Sequence, residues 1–190
     1  MNSKKELLTI FRRLQTIFSI FLFSFIAIYF TTTTEFNIKD IQMSKWGTIE
    51  NFGWIFNLGL MLISISLCFN SFIYIKKHNR ILYKKFFYIL FLIVSSSLFF
   101  TGFFDVEDYR SIHNVFAYTY FFSYPLSIFI LSHLNRRSIL YKDWLSHITF
   151  SVLMILLPLS LMSFFNGMAI PEISHTIIVM IWNLKILIKN

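Results

Sequence analysis

Residues 52–75 read FGWIFNLGLMLISISLCFNSFIYI, residues 76–85 read KKHNRILYKK, and residues 86–104 read FFYILFLIVSSSLFFTGFF. An apolar run, a basic knot and a second apolar run are the writing of a chain that crosses a bilayer, turns in water and crosses back. A helix rises about 1.5 Å per residue, so roughly 20 mainly apolar residues bridge the hydrocarbon layer. Both runs are long enough, and neither contains an Asp, Glu, Lys or Arg.

Working outward, the same pattern predicts spans at 14–30, 112–134, 144–165 and 171–188. The last contains His175, Asn183 and Lys185, but these lie toward its ends, where a Lys stem can snorkel to the headgroups. Pro171 suits a first helical turn, where a missing N–H costs nothing. Pro125 and Pro158 fall inside spans, which membrane helices tolerate when neighbours satisfy the carbonyl that each proline frees. The basic start of the chain, with Lys4, Lys5, Arg12 and Arg13, could introduce a signal peptide, yet residues 31–36 (TTTTEF) offer no small-x-small cleavage site. The expectation is a retained anchor helix.

Composition agrees. Of 190 residues 56% are hydrophobic and only 14% charged, against about 25% charged in soluble chains. Disorder is excluded and a soluble domain is disfavoured. The formal charge of +8 would suggest nucleic acid in a soluble protein, but here the basic residues sit between apolar runs, so no nucleic-acid partner is expected. A lone cysteine, Cys68, removes an internal disulfide and a multi-cysteine metal site. The expected fold class is all-α: a polytopic transmembrane six-helix bundle, one integral membrane domain.

Orientation follows from charge. Basic residues concentrate on the cytoplasmic side of membrane proteins, and scoring alternate loops puts fourteen Lys and Arg on one side, from Lys4 through Lys76, Arg136 and Lys189, and only Lys39, Lys45 and Arg110 on the other. The second side carries Glu35, Asp40, Glu50, Asp105, Glu107, Asp108 and Glu172. Both termini are therefore expected in the cytoplasm. Trp54, Trp144 and Trp182 fall near span ends, where indole rings prefer to lie.

Membrane helices turn small and polar residues toward one another. In the second span Gly53, Asn57, Ser64, Cys68 and Ser71 share a face, and in the fourth His113, Ala117, Tyr120, Tyr124 and Ser127 do so, with Val115, Phe122, Leu126 and Phe129 opposite. These stripes either line a polar cavity or hold the bundle together. The lipid or ligand pocket they suggest comprises Asn57, Trp54, Tyr120, Tyr124 and His175. The acidic side also gathers His113, Asp105 and Asp108, which would serve catalysis if a carboxylate oriented the ring as a general acid or base. A His and carboxylate metal site lacks diagnostic spacing, so no metal and no cofactor is expected. His78, His133 and His147 belong to the basic side and read as solvated.

The stretch Trp46-Gly47-Thr48-Ile49-Glu50-Asn51-Phe52-Gly53-Trp54-Ile55-Phe56-Asn57-Leu58-Gly59-Leu60 resembles the end of the first external loop and the start of the second helix in the prokaryotic membrane family called domain of unknown function 998. That family carries a Phe-Asn-x-Gly-Leu pattern there. A second block, Gly102-Phe103-Phe104 leading through an acidic loop to His113-Asn114-x-x-Ala117, is similar to the same family. It is similar too to the eukaryotic six-helix group that includes FGF-receptor-activating protein, the damage-regulated autophagy modulators and a yeast lipid-asymmetry protein. The resemblance implies a six-helix bundle in the bacterial cytoplasmic membrane, associated with lipid organisation or lipid-anchor processing, and supplies no catalytic residues. Three functions follow as expectations: lipid binding through an outward-facing polar pocket, an intramembrane enzyme with His113 as acid or base, and a small-solute transporter. The last is disfavoured because no charged residue lies mid-span to relay charge.

Overall fold

The structure, a computed structural model, describes residues 2–33, 39, 41–78 and 80–189. It is all-helical over these residues: α1 (Asn2–Thr33), a short 3₁₀ helix (Met43–Thr48), α2 (Gly53–Lys77), α3 (Lys84–Phe103), α4 (Arg110–Leu134), α5 (Tyr141–Leu161) and α6 (Ala169–Lys189). Five of them, α2 to α6, are long and apolar enough to cross a membrane, and α1 carries an apolar stretch, Thr16–Ile26. The chain is thus a multi-pass membrane protein. Glu35 and Asp40 lie outside the described residues.

Each expected span falls on a helix, with shifted ends. α1 begins twelve residues before the expected span, carrying its basic residues on helix, and α5 stops at Leu161 rather than Phe165. The helix runs through Pro158, and near its end the hydroxyls of Ser160 and Ser163 fold back onto the carbonyls of Leu156 and Ser160. Backbone turns at Met162–Phe165 then end the helix.

Consecutive helices pack side by side, and α6 returns against α1, α2 and the 3₁₀ helix, closing the series into a bundle. The α4 stripe points inward as expected: His113, Tyr120, Tyr124 and Ser127 are buried, while Val115, Phe122, Leu126 and Phe129 are exposed. α2 is buried on two sides rather than one. Ser64 donates to the Ser95 carbonyl of α3 at 2.7 Å; on the opposite side Ser66 and Asn70 join α1 and α6. There the Asn70 amide donates to Thr16 Oγ1 at 3.0 Å and to Asn183 Oδ1 at 2.8 Å, and Thr16 and Ser66 hydroxyls lie 2.9 Å apart. Buried amides in hydrocarbon need such partners, and the set clamps three helices at one level.

Trp182 corrects an expectation. It is 1% exposed in the core, not in an interfacial belt. Its indole donates to His147 Nδ1 at 3.0 Å, so His147, expected to be solvated, is buried as well. Both side chains lie on the faces where α5 and α6 pack.

On the acidic side, Gly167 and Ala169 N–H groups donate to the Lys39 and Ile41 carbonyls at 2.7 and 2.9 Å, and the Met43 N–H donates to Glu172 Oε2 at 2.6 Å. The α1–α2 connection is thereby fastened over the start of α6.

Candidate functional site

Beneath that connection, α4, α5 and α6 diverge around a cavity of about 140 Å³. Its inner wall holds His113 and Asn114 from α4 and Glu172 and His175 from α6; Gln42 and Ser44 of the connection cover it, and Phe122, Leu159 and Met162 line the outer side. These last three are exposed, so the mouth faces the surroundings of the bundle through apolar side chains.

The two imidazoles are held alike. His175 Nδ1 lies 2.8 Å from the Met154 carbonyl. A carbonyl only accepts, so Nδ1 carries the proton. Met154 is four residues before Pro158, and its carbonyl is the one that the missing proline N–H would have bonded. The ring from α6 thus replaces the lost helical hydrogen bond of α5. His113 Nδ1 lies 2.7 Å from the carbonyl of Phe104, the residue just after α3, and so caps a helix terminus that has unpaired carbonyls. Nothing among the described residues bonds the buried Nε2 of His175. The cavity wall therefore presents two imidazole rings together with the Glu172 carboxyl group.

The expected site residues separate. His113 and His175 share the cavity, and Tyr120 lines a smaller adjoining void with His113 and Glu172. Tyr124 is fully buried beside Trp182, their rings 5.7 Å apart. Trp54 is 63% exposed. Asn57 braces the 3₁₀ helix, its amide donating to the Gly47 carbonyl at 3.3 Å. Asp105 does not orient His113: its carboxylate accepts the N–H groups of Glu107 and Asp108 at 2.9 and 2.8 Å, closing its own loop, and Asp108 is exposed. The ring that a carboxylate was expected to orient is oriented by backbone.

Glu172 was placed among the acidic-side residues by topology alone, and its role as an anchor for Met43 could not be read from spacing. Among the described residues no group of three or more His, Cys, Asp or Glu is placed to hold a metal ion.

A family profile described as "Protein of unknown function (DUF998)" matches residues 16–188. No curated protein and no solved structure matches the chain.

Proposed function

The chain belongs to the DUF998 family, proteins of unknown function, and from that premise we propose that it is a single membrane domain of six spans, both termini cytoplasmic, that holds a lipid headgroup in its outward-facing cavity. The fourteen-to-three division of Lys and Arg between alternate loops supports the orientation. With that orientation the cavity opens at the outer leaflet of the bacterial cytoplasmic membrane. Single cysteines placed at Arg136 or at Glu107 in a Cys68→Ser background give the check: an impermeant maleimide applied to intact cells labels the Glu107 position and spares Arg136. The reverse pattern overturns the orientation.

The observation that carries the binding reading is the pairing of a wall of acceptors with an apolar, exposed mouth. Lone-pair imidazole nitrogens and a carboxylate call for a ligand that donates hydrogen bonds, through hydroxyl or ammonium groups. Phe122, Leu159 and Met162 suit acyl chains leaving through the mouth.

The test compares two lipids with the same chains and phosphate. Phosphatidylethanolamine carries N–H donors; phosphatidylcholine carries none. Native mass spectrometry after extraction with an equimolar mixture is expected to show phosphatidylethanolamine retained about tenfold over phosphatidylcholine, the worth of one to two net hydrogen bonds. Ala117→Leu, which narrows the cavity, lowers retention of both. Equal retention by the wild-type protein overturns the reading, whether or not the variant folds.

A further inference from the structure

A second cavity, of about 310 Å³, lies at the opposite, basic end, between the ends of α2, α5 and α6 and the loop residue Leu140. Its size is within the range of about 300–1,000 Å³ in which small ligands bind. Its polar wall consists of Tyr74, Lys77, His78, Asp143, His147 and Lys185.

The hydrogen bonds in that wall have a fixed direction. The Trp182 indole can only donate, and it donates to His147 Nδ1 at 3.0 Å. That nitrogen therefore accepts, and the ring proton is on Nε2. Nε2 lies 2.8 Å from the Tyr74 hydroxyl and donates to it, so the hydroxyl accepts there and its own proton is directed elsewhere. Trp182, His147 and Tyr74 form a relay of donors buried in the bundle that terminates in an O–H at the cavity wall. Around it are two ammonium groups. Lys185 donates to the Ser146 hydroxyl, which steadies its stem, and Lys77 ends α2. Asp143 is the single carboxylate among the lining residues, against two Lys, and both Asp143 and Lys77 already engage neighbours there.

We infer that this cavity binds a phosphate group, seated between Lys77 and Lys185 and accepting a hydrogen bond from Tyr74. A phosphate oxygen satisfies the directed O–H, and two ammoniums in a partly enclosed space match its charge. The same chemistry is offered by the headgroup of an anionic lipid and by a soluble phosphate monoester. This site is independent of the outer cavity: it shares no lining residue with it and selects for the opposite ligand character.

The experiment uses full-length protein in phosphatidylcholine nanodiscs and reads thermal stability. One arm adds glycerol 1-phosphate, with potassium chloride at matched ionic strength as control; the other replaces part of the phosphatidylcholine with phosphatidic acid. Stabilisation in the first arm assigns a soluble monoester, and stabilisation in the second alone assigns a lipid headgroup. In the effective arm Tyr74→Phe and Lys185→Gln each weaken binding about tenfold, and Lys77→Gln, at an exposed position, supplies a variant that tests the site if either of the others fails to fold. Stabilisation in neither arm, stabilisation matched by chloride, or binding unchanged in the folded variants overturns the assignment.

Discussion

Replacing His175 with Leu lowers the stability of the bundle by about 1–3 kcal/mol, the usual cost of leaving a buried carbonyl without a donor, and most of that loss disappears when Pro158 is replaced by Ala in the same molecule. The reasoning lies in one atom. The Met154 carbonyl lost its helical partner because residue 158 has no N–H, and His175 Nδ1, 2.8 Å away, is the donor that replaces it. Restoring an N–H at position 158 gives Met154 its own helical bond, after which the imidazole is no longer needed there. A double-mutant cycle in detergent, read by denaturant titration, is expected to give a coupling of about 1 kcal/mol or more, within the range for residues in one network. Strictly additive losses would falsify the link. A proline in a membrane helix and a histidine on the next helix are thus one structural unit, which explains how His175 can be buried among the rings of Tyr120 and Phe121, 5.6 and 4.5 Å away, with its N–H satisfied by backbone.

This unit also marks how far the sequence could be read. The long apolar helices were legible because they depend only on apolar length, and the α4 faces were legible because one side meets neighbours and the other does not. α2 was read as having one inward stripe. It has two, since α3 lies on one side and α1 and α6 on the other, and Ser66 and Asn70 were missed because they stand about half a turn away from Ser64 and Cys68. Trp182 was misplaced because an indole near a span end has the same signature whether it faces headgroups or a neighbouring helix. The partners of His113 and His175 are backbone carbonyls, which have no letter in a sequence. Only Pro158, four residues after Met154, announced that one of them would need a donor.

The second large effect is expected at Gly53. A Cβ built there would stand 2.3 Å from the Gly47 carbonyl oxygen and 2.6 Å from its carbon. Both are backbone atoms, so no side chain can rotate away, and Gly53→Ala must push the 3₁₀ helix off the start of α2. Overpacking of this kind costs about 1–3 kcal/mol, and the upper end is expected because the contact is rigid. Gly47→Ala is the control. Its Cβ would meet the Asn57 side chain at 2.3 Å, a group that can turn aside at the expense of its hydrogen bond to residue 47, so the loss should be smaller, about 1 kcal/mol. Thermal unfolding of the two variants in one detergent decides it, and equal losses would show that the contact between the two glycines is not the rigid one. The consequence extends to the outer cavity, because Ser44, in the same 3₁₀ helix, covers it. A displaced 3₁₀ helix uncovers the wall of acceptors, and Gly53→Ala should therefore lose its preference for phosphatidylethanolamine even in the fraction that remains folded. Gly102 completes the same junction, with its absent Cβ 2.7 Å from the Asn57 carbonyl oxygen. The two sequence blocks that resemble the family, one ending near Leu60 and the other beginning at Gly102, meet here in space, and what they specify together is the close seating of loop on helix and helix on helix that keeps the cavity roofed.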